Sequence, residues 1–234
     1  MLLLGIDTSS QAATAALSKD GAIICEYTLN QKKTHSAQLL PMIEQMLKAS
    51  GYEFSDIDAF ACGVGPGSFT GVRIGVTTVK GFAQALNKPV IAADSLEILA
   101  FGCTPFDGMI VSAVFARVDE VFCAAYEHNE SGLITKIAPS VMTIGELLEI
   151  LPDTKCLFVG DGAVMHKGLI KEKMGEKAYF AGERQNIISA ANLALLCDSR
   201  TESGFKRYDE ISPLYLRVSQ AEREYEEKHK GEEQ

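Results

Sequence analysis

Gly63-Val-Gly-Pro-Gly-Ser-Phe-Thr-Gly-Val-Arg-Ile-Gly75 lies between an apolar, strand-like run over residues 57–62 and a helix-like run over residues 69–86. Glycine supplies backbone angles and close approaches that other residues cannot. A strand, a glycine loop and a helix N-terminus in succession form a place where backbone N–H groups can meet an anion. The same glycines also let another element lie very close. The phosphate motifs themselves are missing. No Lys follows the loop as in a P-loop, and Ser68 stands where the third glycine of the dinucleotide fingerprint belongs.

Further on, Gly71 and Gly75 fall four apart inside the predicted helix, and Gly81 follows. Each interior glycine costs a helix roughly 1 kcal/mol relative to alanine, so three of them call for a compensating contact. Val72, Val76, Val79 and Ala83 make a neighbouring apolar line at helical spacing. The contact is either internal, against the sheet and an earlier helix, or with another chain.

Working outward, residues 2–6 read as a buried strand ending at Asp7-Thr8-Ser9-Ser10. Residues 13–18 and 22–29 form a hairpin about Asp20-Gly21. A helix follows over residues 36–50, with Leu39, Met42, Ile43, Met46 and Leu47 on one face and Pro41 within it. Strands at 58–64 and 89–92 flank the glycine-loop helix, and Asp94-Ser95 opens a short helix with an N-cap. After a turn-rich join at residues 102–108 the order repeats: strands at 109–116, 120–128 and 133–139, a helix at 143–151, a strand at 155–160, a helix at 163–173, a short strand at 178–180 and a helix at 187–199. Such a chain is a duplicated α/β unit. The expected division is a first lobe over residues 1–104, a second over 105–220, and a charged tail over 221–234.

A net charge of -9 argues against a chain that grips nucleic acid alone, because phosphate contact needs clustered Lys and Arg. The six cysteines are scattered, form no C-x-x-C, and mostly sit in apolar runs, as reduced core thiols do. The N-terminal run reads as a strand and not a secretory signal, and no apolar stretch is long enough to span a bilayer. No membrane partner is expected, and the cytoplasm is the expected location.

Candidate chemistry is sparse. Asp7 and Ser9 end a buried strand, where open α/β sheets bind ligands, and could hold a metal–phosphate group or merely cap a turn. Gly160-Asp161-Gly162 is a second possible nucleotide loop, or a tight turn. The four histidines, His35, His128, His166 and His229, include no H-E-x-x-H or H-x-x-x-H spacing, and there is no G-x-S-x-G elbow. No catalytic residue and no metal ligand is assigned.

Four segments taken together resemble one family: Leu4-Gly-Ile-Asp-Thr-Ser-Ser10, His35-Ser-Ala-Gln-Leu-Leu-Pro41, Gly65 to Gly75 with Lys80-Gly81, and Ser212-Pro-Leu-Tyr-Leu-Arg217. The chain is similar to the TsaB (YeaZ) family, bacterial accessory proteins of tRNA threonylcarbamoyladenosine synthesis. The second half fits less closely: Phe115-Ala-Arg117 stands where the family commonly has Asp-Ala-Arg, so the acidic residue of that motif is absent.

The resemblance implies an α/β fold of two related lobes of the actin, sugar-kinase and Hsp70 type. It implies a non-catalytic subunit that organises the paralogue TsaD, with the ATPase TsaE as a further partner and tRNA held only through the complex. TsaD carries a metal-binding H-x-x-x-H pair; here the corresponding stretch is Ala92-Ala-Asp-Ser-Leu-Glu-Ile98, without histidine. The resemblance also implies pairing, with TsaD or as a homodimer, through the two helices of the first lobe. The residues that fall there are Ser36, Leu39, Leu40, Ile43, Phe69, Thr70, Gly71, Val72, Arg73, Gly75, Val76, Val79 and Lys80. No cofactor of its own is expected, Asp7, Ser9, Gly160, Asp161 and Gly162 being at most a vestigial nucleotide site. The alternative is an ATP-dependent phosphotransferase of the same fold. A metallopeptidase fails for want of ligands.

Overall fold

The computed structural model describes residues 1–31, 35–130, 132–200 and 204–217. The first half runs β1 (Leu2–Asp7), β2 (Ala12–Lys19), β3 (Ala22–Asn30), α1 (His35–Ser50), β4 (Ala59–Gly63), α2 (Phe69–Leu86), β5 (Val90–Ala93) and α3 (Ser95–Phe101). The second runs β6 (Met109–Arg117), β7 (Glu120–Asn129), β8 (Gly132–Thr143), α4 (Ile144–Ile150), β9 (Cys156–Val159), α5 (Asp161–Met165), α6 (Lys167–Met174), β10 (Ala178–Phe180) and α7 (Ala190–Asp198).

One sheet has the order β3-β2-β1-β4-β5 and the other β8-β7-β6-β9-β10. Each strand of the second half thus takes the place of the strand five earlier, and the duplication is present in the topology. In both sheets the first strand pairs antiparallel with the second and parallel with the fourth. The first hairpin turns through Asp20 and Gly21, both at positive φ, as a two-residue connection requires.

The layers explain why β1 is buried along its whole length. On one face of the first sheet, Leu4, Ile6 and Phe60 pack with Leu39, Ile43 and Met46 of α1 and Val72, Val76 and Val79 of α2. On the other face, Leu3, Ala59, Ala61 and Ile91 share a core with α3, α7 and the inner face of the second sheet. The outer face of the second sheet is covered by α4, α5 and α6.

Two helices are exchanged between the halves. α3 belongs to the first half but packs on β6 and β7, whereas α7 belongs to the second half and packs on β1 and β2. The two also pack on each other. The lobes therefore interlock through one apolar layer. The chain passes from sheet to sheet between residues 93 and 109, the stretch that contains the expected boundary at 104.

Some elements differ from expectation. The predicted single helix over 163–173 is two helices, broken at His166, whose N–H donates to Gly162 O and Val164 O and whose φ/ψ of -97 and 14 leave the helical region. The strand expected over 133–139 extends to Thr143, whose hydroxyl then caps α4. The last helix begins later than expected, at Ala190, because Ser189 caps it. The tail over 221–234 lies outside the described residues.

Candidate functional site

β1 ends at Asp7, and the chain continues through Thr8 and Ser9 beneath the glycine run. The run answers this segment at every fourth residue. A Cβ on Gly63 would lie 1.9 Å from Asp7 Oδ2, on Gly67 2.2 Å from Ser9 O, on Gly71 2.1 Å from Thr8 O, and on Gly75 2.6 Å from Thr8 Oγ1. Hydrogen bonds fasten the two strips together: Thr8 Oγ1 donates to Gly71 O at 2.7 Å, and Ser68 N donates to Ser9 O at 2.7 Å. Ser68 also caps α2, its hydroxyl accepting from Gly71 N at 3.2 Å. The glycines of α2 at 71 and 75 therefore serve an internal contact, not a second chain. Gly81 meets nothing within 4 Å and is exposed.

Asp7 and Ser9 are 0% and 1% exposed. Asp7 Oδ1 accepts from Ser9 N and Ser9 Oγ, each at 2.8 Å, and Ser9 Oγ is 2.8 Å from Ser95 Oγ at the start of α3. Oδ2 is buried without a hydrogen-bond partner. Burial pushes the Asp7 carboxyl above the usual carboxylate range, and the two bonds from Ser9 and the charge of His35 partly offset this.

The second lobe repeats the device. Asp161 Oδ1 accepts from Phe115 N at 2.9 Å, and Gly160 N donates to Asn186 Oδ1 at 2.8 Å. A Cβ on Gly160 would lie 2.3 Å from Ala113 O, and one on Gly162 2.9 Å from the same oxygen. Gly160, Asp161 and Gly162 thus fit the tight turn that presses on the end of β6. Among the described residues no hydrogen bond joins them to Asp7 or Ser9.

An accessible groove of about 460 Å³ lies between α1 and α2. Ser36, Leu39 and Leu40 line one wall; Phe69, Thr70, Arg73, Ile74, Thr77 and Thr78 line the other. Of the expected interface residues, Ser36, Leu40, Thr70 and Arg73 are exposed, and Phe69 and Lys80 are partly so. Leu39, Ile43, Gly71, Val72, Gly75, Val76 and Val79 are buried in the chain's own core. This corrects the expected register: the valine line points to the sheet, and the outer face runs through Thr70, Arg73 and Thr77. Ile74, Thr77 and Thr78 line the groove as well, although in a sequence valines advertise a contact face more strongly than threonines do. The helical spacing of Phe69, Arg73 and Thr77 was the available signal.

At the mouth of the groove the C-terminal segment returns to α2. Leu214 N donates to Val64 O at 2.8 Å. Tyr215 stacks on Phe69, with ring centroids 4.9 Å apart, and its hydroxyl accepts from Arg73 Nε at 2.8 Å. The Arg73 guanidinium carbon lies 3.8 Å from the Phe69 ring centre.

A separate polar cluster sits at the start of α3. Asp94 caps the helix, accepting from Glu97 N at 2.9 Å. Its carboxyl is pushed up to about 6, by burial first and by the charge of Glu97 among the rest. Glu97 forms a bidentate pair with Arg200. Five of the six free cysteines are buried, and burial pushes Cys103 and Cys156 up to about 11, as inert core thiols require. Among the described residues, no group of three or more His, Cys, Asp or Glu is placed to hold a metal, and no helix is long and apolar enough to cross a membrane.

The duplicated sheet order and the strand–glycine loop–helix joins at both β4 and β9 define a two-lobed α/β protein of the actin, sugar-kinase and Hsp70 type. The family model described as TsaD, tRNA N6-adenosine threonylcarbamoyltransferase, matches residues 22–225. The tRNA threonylcarbamoyladenosine biosynthesis protein TsaB of Bacillus subtilis is 32% identical over 233 residues, 98% of this chain and 100% of that protein. The chain belongs to the TsaB (YeaZ) family. The Escherichia coli TsaB is 38% identical over 135 residues, 57% of this chain and 58% of its own length. The solved structure of YeaZ from Pseudomonas aeruginosa superposes with a TM-score of 0.78 at 28% identity, covering 92% of this chain and 99% of that one. Component A of (R)-2-hydroxyglutaryl-CoA dehydratase from Acidaminococcus fermentans, at 10% identity and a TM-score of 0.52, covers 87% of this chain and 100% of its own, and shares the fold alone.

Proposed function

We propose that this chain is a cytoplasmic, non-catalytic subunit of tRNA threonylcarbamoyladenosine synthesis. It binds and organises TsaD, the transferase acting on adenosine 37 of tRNA, through the outer face of α1 and α2. TsaE joins that assembly, and tRNA is reached only through it. In the absence of TsaD the same face pairs two copies. The observation that carries this reading is the groove between α1 and α2, a surface of apolar and hydroxyl side chains with Arg73 among them on two well-packed helices.

The test is co-elution of the purified chain with TsaD, and reconstitution of tRNA modification with and without the chain. Complex formation that Leu40→Glu breaks supports the reading; full modification without this chain overturns it. The phosphotransferase alternative draws less support, because one oxygen of Asp161 and one of Asp7 are taken by hydrogen bonds within the fold and Asp7 and Ser9 are buried. Micromolar Mg-ATP binding with phosphate turnover by the isolated chain would restore it.

A further inference from the structure

Among the described residues, Arg73 is the one charged side chain lining the groove. It is also held in place. Its carbon lies 3.8 Å from the Phe69 ring centre and 5.7 Å from that of Tyr215, and its Nε–H is committed to the Tyr215 hydroxyl at 2.8 Å. Tyr215 comes from 142 residues further along the chain. Yet among the described residues no carboxylate pairs with Arg73. Arginine is normally costly to immobilise, because its side chain carries about 2 kcal/mol of rotamer entropy. Here the two aromatic rings and the Nε bond have already restricted it, while neither Nη group has a partner among the described residues.

We infer that Arg73 is a preorganised receptor for one carboxylate on a helix of the partner chain, and that it sets the register and specificity of docking along the groove. This rests on the docking reading above and adds to it the residue that selects the partner. With Nε–H taken by Tyr215, the guanidinium keeps one edge of two N–H groups, Nη1 with Nη2, which matches a carboxylate in bidentate fashion. The rest of the described lining is apolar or hydroxyl-bearing, so the groove offers one cationic charge to one anionic charge. A groove between two helices takes a ridge of apolar residues from a third helix, which carries the acid at its edge. The clamp also makes the C-terminal segment part of the surface, because Tyr215 orients the guanidinium.

The test uses the full chain and purified TsaD, with Kd measured by titration calorimetry at low and high salt beside the melting temperature of each variant. Arg73→Gln should weaken binding roughly tenfold or more and flatten its salt dependence. Arg73→Lys should recover only part of the affinity, since a point charge lacks the fork. Tyr215→Phe, which keeps the ring stack and removes the Nε bond, should cost a few-fold. Affinity for TsaD within twofold of wild type in Arg73→Gln overturns the inference while leaving the docking reading intact. So does a loss that follows the melting temperature and is equal at both salt concentrations, which would make the clamp mere packing. If light scattering shows that Arg73→Gln abolishes self-association but leaves TsaD binding unchanged, the carboxylate belongs to a second copy and the inference fails. No binding of TsaD by the wild-type chain removes the docking reading itself.

Discussion

The Asp7 carboxylate occupies the space that a side chain on Gly63 would need, with Oδ2 only 1.9 Å from the position of that absent Cβ. The glycine is there because a buried carboxylate lies against the strand beside it. Gly63→Ala must push Asp7 out of its bonds to Ser9 with nowhere to go. It should cost about 2–3 kcal/mol or more of stability, by overpacking and a broken buried hydrogen-bond pair. Urea denaturation checks this, and a loss under about 0.5 kcal/mol would contradict the placement.

The three glycines of α2 should separate by alanine substitution. Gly71→Ala meets the backbone carbonyl of Thr8 and should be the most damaging. Gly75→Ala meets the Thr8 hydroxyl, which can rotate, and should cost less. Gly81→Ala meets nothing and should stabilise the chain by about 0.5–1 kcal/mol through helix propensity. The order of melting temperatures decides it.

Charge placed on the two faces of the first-lobe helices should have opposite consequences. Val76 is 3% exposed and Leu40 is 45% exposed. Val76→Glu buries an unpaired carboxylate and should prevent folding, as circular dichroism would show. Leu40→Glu should melt like wild type and yet lose TsaD on a sizing column. Wild-type pairing by a folded Leu40→Glu chain would move the docking surface elsewhere.

Stability should carry a pH signature from Asp94. Its carboxyl sits at about 6, against an ordinary 3.8, so the folded chain holds this proton more tightly than the unfolded chain does. That contribution is present in full below about pH 4 and is lost as pH rises through 6, a span worth about 3 kcal/mol. Asp94→Asn keeps an oxygen to cap Glu97 N and has no proton to lose. The stability difference between mutant and wild type should therefore grow in the mutant's favour from pH 4 to pH 7. Parallel curves would show that Asp94 is not titrating there.

The order of strands and helices, the duplication and the helix N-cap at Asp94-Ser95 could be read from the chain. Local periodicity and capping chemistry decide those features. The break at His166 could not, because the apolar spacing over residues 163–173 continues across it. The burial of Val72, Val76 and Val79 was legible as an apolar line, but its destination was not. One stripe on a helix suits a sheet of its own chain as well as a helix of another, and only packing chooses.

The glycine run shows the same division. Its composition alone established a strand-to-helix turn without the lysine of a phosphate loop, and a helix carrying more glycine than it can bear unaided. Which surface repaid that cost was decided in three dimensions. Gly63, Gly67, Gly71 and Gly75 press on Asp7, Thr8 and Ser9, residues some sixty positions earlier. Arg73 likewise acquires its clamp from Tyr215. Periodicity is a property of neighbours along the chain, but a steric match between two backbones exists only once the sheet has brought them together.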